Sequence, residues 1–254
     1  MLPRVLTIIV PVFNEEESLP RFKEEMDKYL AKTAVPSLVL FINDGSTDKS
    51  LDIIKNICLS DHYQLASFDR NYGLSTAIKA GIDLCQTKYI GYIDADMQTS
   101  PEDFITYFDY LGDYQMVNGI RGKRSDTFVK KMSSKIANGF RRMMINDGIE
   151  DTCCPLKIMD SNYAKKMPFF NGMHRFMPAL IQLQGGKVKQ LPVRHFPRFA
   201  GTAKYHLFNR LVGPFFDTMA FRWMKRRYIN YQVKDTGAAA KSIELPASEE
   251  LHGR

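Results

Sequence analysis

Short apolar runs alternate with amphipathic segments through the first half of the chain. Residues 5–12 are almost continuously apolar, the pattern of a strand buried on both faces of a parallel sheet. Residues 18–30 then read as a helix with acids early and Lys28 late. Residues 38–42 form a second apolar run, and Ser46 is placed to cap a helix over 49–58. A weaker strand over 64–68 precedes a helix over 74–84, with Ile78, Ile82 and Leu84 on one face. Residues 89–93 predict a fourth strand, and Ser100-Pro101-Glu102-Asp103 a helix start. Residues 114–118 predict a fifth strand. Strand and helix alternation of this kind specifies an α/β fold with a mostly parallel sheet flanked by helices.

The second half is patterned differently. Residues 127–144 read as a basic amphipathic helix, with Met132, Ile136, Phe140 and Met143 on one side. Residues 151–200 look irregular, rich in proline and aromatics. Residues 207–231 predict two short helices broken at Gly213-Pro214. From 234 to 254 the composition turns to Ala, Ser, Glu and Gly, which predicts a disordered tail. The expected organisation is a catalytic domain over 1–205, surface helices over 206–233 and the tail over 234–254.

Composition narrows this picture. The 254 residues are 44% hydrophobic and 25% charged, an ordinary globular balance. The net charge of +7 and a pI of about 9.1 suit an anionic partner. Nucleic acid is a poor choice, because no recognition motif accompanies the charge. No run reaches the roughly 18 apolar residues of a membrane-spanning helix. Cys58, Cys85, Cys153 and Cys154 match no zinc spacing, and no secretory signal peptide is evident, so reduced thiols in a cytosolic protein are expected.

The candidate chemistry lies where the strands end. Pro11-Val12-Phe13-Asn14-Glu15-Glu16, Asn43-Asp44-Gly45-Ser46-Thr47-Asp48 and Asp94-Ala95-Asp96-Met97-Gln98 are acid-bearing turns after the first, second and fourth strands. Parallel sheets bind ligands at the carboxyl ends of their strands, so the three turns converge on one crevice. Asp94 and Asp96 lie two positions apart, and alternate residues of a strand point the same way. Paired carboxylates suit a divalent cation that holds a diphosphate. No G-x-G-x-x-G follows the first strand and no G-K-[ST] loop is present, which argues against dinucleotide oxidoreductases and P-loop enzymes.

P-V-F-N-E-E, N-D-G-S-T-D and D-A-D-M-Q resemble the successive signatures of family 2 glycosyltransferases with the GT-A fold, a Rossmann-like sheet. The likeness spans roughly residues 4–205. The nearest subgroup is the polyprenyl-phosphate, or dolichyl-phosphate mannose synthase-like, glycosyltransferases. The resemblance implies that Pro11, Phe13, Glu15 and Asp44 surround the nucleotide of a UDP- or GDP-sugar. It implies that Asp94 and Asp96, with Gln98, hold Mg2+ or Mn2+ against the diphosphate. Asn71-Tyr72-Gly73 is similar to the family's R-N-x-G segment near the donor. On the acceptor side, Arg121 follows a turn similar to G-S-R. Arg198 and Lys204 stand in a segment similar to R-x-x-G-x-S-K, with Ala203 in place of Ser. Lys130, where Arg is common in the subgroup, and Ser134 resemble its acceptor-phosphate residues.

Elementary chemistry points to the same acceptor. A hydroxyl nucleophile needs a general base, usually a carboxylate. After Asp103 the main acids are Asp109, Asp113, Asp126, Asp147, Glu150 and Asp151. A phosphate monoester is already anionic and needs cations to place it. Arg121, Arg124, Arg194, Arg198 and Lys204 are available for that task. The expected activity is therefore metal-dependent, inverting sugar transfer to a polyprenyl phosphate, with Asp94, Asp96 and Arg198 central to it. Transfer to a hydroxyl of a glycan, lipid or cell-envelope precursor is the alternative. A non-catalytic, membrane-associated nucleotide-sugar-binding protein is the alternative of another class. Phe215, Phe216, Met219, Trp223 and Met224 follow helical spacing beside Arg222, Lys225, Arg226 and Arg227, a membrane-surface signature. Such a stripe can also pack on the domain or pair two copies. The expected location is cytoplasmic, peripheral on the cytoplasmic face of a membrane.

Overall fold

A computed structural model of the chain describes residues 3–122, 139, 143–197 and 212–231. The segments expected as the basic helix (127–138 and 140–142), the first C-terminal helix (207–211) and the tail (234–254) lie outside them. Seven strands form one sheet: β1 Leu6–Val12, β2 Ser37–Asn43, β3 Tyr63–Ser67, β4 Tyr89–Tyr92, β5 Met116–Arg121, β6 Lys157–Asp160 and β7 Val188–Val193. Their spatial order is β3-β2-β1-β4-β6-β5-β7. Strand β6 runs antiparallel to its neighbours β4 and β5, and the other pairings are parallel.

The continuous apolar character of β1 follows from its central place, since helices cover both faces. On one face Leu6, Ile8, Val10 and Val12 meet Leu19, Phe22, Met26 and Tyr29 of α1 (Leu19–Lys32), Ile54 and Ile57 of α2 (Ser50–Ile57), and Phe104 and Tyr107 of a 3-10 segment over Pro101–Tyr110. On the other, Ile9, Leu40 and Ile42 meet Ala77, Ile78 and Ile82 of α3 (Leu74–Leu84). That second core continues into α5 (Met177–Leu183) and Phe221 of α6 (Val212–Arg227), with the short α4 (Ser161–Lys165) beside it.

Three expectations change. The fifth strand runs Met116–Arg121, later than 114–118. Residues 151–200, expected to be irregular, contain β6, α4, a 3-10 turn at Met173–Arg175, α5 and β7. Ser46 does not cap α2; its hydroxyl accepts the Asn14 amide, and Asp48 Oδ1 accepts the amide of Ser50 (2.9 Å).

Candidate active site

The order β2-β1-β4 sets the three acid turns side by side at one edge of the sheet. The first two are stitched together. The amide of Asn14, a residue with φ +52°, donates to Ser46 Oγ (3.0 Å), and Thr47 N donates to Asn14 Oδ1 (2.8 Å). Glu15 N donates to Ser50 Oγ (2.8 Å), and Glu15 Oε2 accepts from Ser18 Oγ (3.0 Å). Pro11 and Phe13 are half-buried beside this seam.

Asp44 and Asn71, both expected near the nucleotide, are in direct contact. The buried Asp44 carboxylate accepts from Tyr72 N (2.7 Å), Gly73 N (2.9 Å) and Asn71 Nδ2 (3.0 Å). Burial raises its pKa, and the two amides pull the other way. Gly45 allows the approach: at φ +67°, a Cβ there would lie 2.2 Å from the carbonyl carbon of Arg70. Asp44 thereby ties the end of β2 to the loop that opens α3.

Beyond β4 the two-residue alternation persists. Ile93, Ala95 and Met97 enter the first core, while Tyr92 belongs to the second. Across a turn at Ala95 and Asp96, Asp94 and Asp96 lie close enough for the charge of Asp96 to act on both Asp94 and Tyr92. Tyr92 Oη donates to Asp94 Oδ1 (2.7 Å), and Gln98 N donates to Asp96 Oδ1 (3.1 Å). Burial and the charge of Asp96 raise the pKa of Asp94, opposed by the Tyr92 hydroxyl, Arg121 and Lys157. Two carboxylates with an adjacent amide are a suitable donor set for Mg2+ or Mn2+. Among the described residues no cluster of three His, Cys, Asp or Glu surrounds them. Such ions in phosphate sites use one or two carboxylates and complete their shell with phosphate oxygens and water.

Arg121 ends β5 and is committed within the protein. Its Nε and Nη2 grip Asp151 Oδ2 and Oδ1 at 2.7 and 2.8 Å, and its amide adds a third bond at 3.2 Å. The pair is largely buried, and the guanidinium holds Asp151 down to about 2 against the opposing effect of burial. Lys157, which sequence reasoning missed, braces the same loop. Its buried ammonium donates to Asn118 Oδ1 (2.8 Å), to the Thr152 carbonyl (3.1 Å) and to the Cys154 carbonyl. Its sequence signal is a lysine inside the apolar run Leu156-Lys157-Ile158-Met159. Arg194 is bound to Asp103 and Glu102. His195 Nδ1 and Phe196 N meet the Gln98 carbonyl at 3.0 and 2.9 Å, which clamps the segment after β7 to the metal motif. Lys130, Ser134, Arg198 and Lys204 lie outside the described residues.

Helix α6 divides cleanly. Thr218, Phe221 and Met224 face inward, with Phe221 stacked on Phe176 at 5.4 Å. Phe215, Phe216, Met219 and Trp223 stay exposed, and Arg227 lies over the Trp223 ring. Among the described residues no helix is long and apolar enough to cross a membrane.

The strand order defines a GT-A-like mixed α/β fold. Solved structures share it. The glucosyl-3-phosphoglycerate synthase of Mycobacterium tuberculosis, in complex with Mn2+, UDP and glucosyl-3-phosphoglycerate, matches with a TM-score of 0.65 and 14% identity. The match covers 88% of this chain and 80% of that one. Mannosyl-3-phosphoglycerate synthase from Rubrobacter xylanophilus gives 0.64 at 12% identity, over 92% and 78% of the two chains. Residues 7–167 match the model for glycosyl transferase family 2, and the chain belongs to that family.

Among curated relatives, the undecaprenyl-phosphate 4-deoxy-4-formamido-L-arabinose transferase of Pectobacterium carotovorum subsp. carotovorum (strain PC1) is 28% identical over 217 residues. That alignment covers 84% of this chain and 66% of the relative. The uncharacterized glycosyltransferase YkcC of Bacillus subtilis (strain 168) is 33% identical over 213 residues, 79% and 63% of the two chains. The chain thus spans just under two thirds of the length of these relatives.

Proposed function

We propose that this protein transfers a sugar, with inversion, from a UDP- or GDP-sugar to a polyprenyl phosphate. The observation that carries the reading is the Arg121–Asp151 pair. Asp151 is a later carboxylate whose partner, Arg121, acts on Asp94, and its two oxygens are spent on that one guanidinium. A carboxylate held down to about 2 is a poor general base at neutral pH. An acceptor that arrives as an anion needs none. The name of the Pectobacterium relative, an undecaprenyl-phosphate transferase, supports the same acceptor class.

In this reading a phosphate oxygen attacks the anomeric carbon. The bond from that carbon to the nucleoside diphosphate breaks, and its electron pair leaves with the diphosphate. Asp94, Asp96 and Gln98 would hold Mg2+ or Mn2+, which would supply Lewis-acid stabilisation of that leaving group. The Asp44–Asn71 junction shapes the nucleotide end, with Pro11, Phe13 and Glu15 beside it. Arg198 and Lys204, with Lys130 and Ser134, are assigned to the acceptor phosphate. Arg121 contributes through Asp151 and the field at Asp94 in place of a free phosphate contact.

The exposed aromatic stripe of α6, with Arg226 and Arg227, is proposed to rest on an anionic membrane, where the acceptor resides. The cytoplasmic face fits this charge. Purified protein with Mn2+, nucleotide-sugars and undecaprenyl phosphate should form the glycolipid, and Asp96→Ala should abolish it. Undiminished transfer by Asp96→Ala would sink the mechanism.

A further inference from the structure

We propose that Tyr92 is a positioning residue for the metal and diphosphate site, fixing the carboxylate of Asp94 through its phenol. The inference rests on the transferase reading above and adds a residue that neither the sequence motifs nor the resemblance includes.

Tyr92 is the last residue of β4 and reads in sequence as an ordinary core aromatic. In the fold its ring is 4% exposed, and its backbone is held between Ile9 of β1 and Lys157 of β6. A side chain set in a central strand has little freedom to move. The phenol reaches along the strand to the residue two positions on and donates to Asp94 Oδ1 at 2.7 Å. No second hydrogen bond to Asp94 is found among the described side chains, so this contact sets the rotation of the carboxylate. With Oδ1 anchored, Oδ2 remains for a cation at the crevice edge. Asp96 Oδ1 accepts from the Gln98 backbone amide.

The test is direct Mn2+ binding, read by electron paramagnetic resonance in the presence of UDP. Tyr92→Phe should raise the Mn2+ dissociation constant about tenfold, the usual scale for losing a partner of a metal ligand. Asp94→Asn should remove most binding, and the double variant should be no worse than Asp94→Asn alone. Tyr92→Leu, which keeps apolar bulk without the hydroxyl, repeats the test, with circular dichroism of the metal-free proteins reporting folding. Mn2+ affinity within twofold of the parent in a folded Tyr92 variant, or additive losses in the double variant, would overturn the inference. A parent protein that binds no Mn2+ with UDP would instead overturn the reading beneath it.

Discussion

Replacing Asp151 by Asn separates two roles that sequence leaves open for this acid. In the structure it is the partner of Arg121, with side-chain exposures of 17% and 11%. Its carboxyl is held at about 2 against an ordinary 3.8. At roughly 1.4 kcal/mol per factor of ten, that fall is worth about 2 kcal/mol of folding stability. Removing the charge also leaves Arg121 partly unpaired, so the total loss should approach the ~3 kcal/mol typical of breaking a buried pair. For a domain of this size that lowers the thermal midpoint by roughly 6–12 °C. The folded value is depressed, so the stabilisation is present above pH 3.8 and disappears as pH falls through about 2. Parent and Asp151→Asn should therefore differ by the full amount at pH 7 and converge in strong acid. Thermal unfolding across that range, beside transfer assays held below both midpoints, reads the two roles apart. An unchanged midpoint with abolished transfer would identify Asp151 as a general base and refute the phosphate-acceptor argument.

Gly45→Ala should cost ~2–4 kcal/mol in chemical denaturation, since it combines a left-handed backbone with a clash against the Arg70 main chain. His174, hydrogen-bonded to Ser75 Oγ, is pushed down to about 3 by burial and then by Arg175 and Lys157. Its folded value is depressed, so stability should fall as pH drops from 6.5 toward 3, and His174→Gln should flatten that slope in melts from pH 7 to 4. Trp223→Glu, at a side chain 63% exposed, should leave the thermal midpoint unchanged and abolish co-sedimentation with phosphatidylglycerol vesicles. Retained co-sedimentation would argue against α6 as the membrane contact, and a switch from dimer to monomer would assign its stripe to a second copy.

What the sequence made legible follows from burial. The parallel strands β1, β2 and β4 are covered on both faces, so their apolar runs stand out and the polar turns that end them are conspicuous. β6 is four residues long and carries a buried lysine, which masks it as a loop. β7 lies at the sheet edge, half-exposed, with Pro192 in its register. At the site, the residue types and their convergence could be read from strand order. Their pairings could not. Asp44 with Asn71, Arg121 with Asp151 and Lys157 with Asn118 are 27, 30 and 39 positions apart, and spacing at that range carries no contact information. Those pairings bear on the proposed chemistry: Asp44 joins the end of β2 to the loop before α3, and both Asp151 oxygens sit on Arg121.

The central claim is that the nucleophile arrives already charged. Undecaprenyl phosphate and undecaprenol, offered in parallel to the protein with Mn2+ and a panel of labelled UDP- and GDP-sugars, test it most directly. The account predicts label on the phosphate lipid alone, with transfer that does not require the Asp151 carboxylate. Label on undecaprenol, lost in Asp151→Asn, would contradict it.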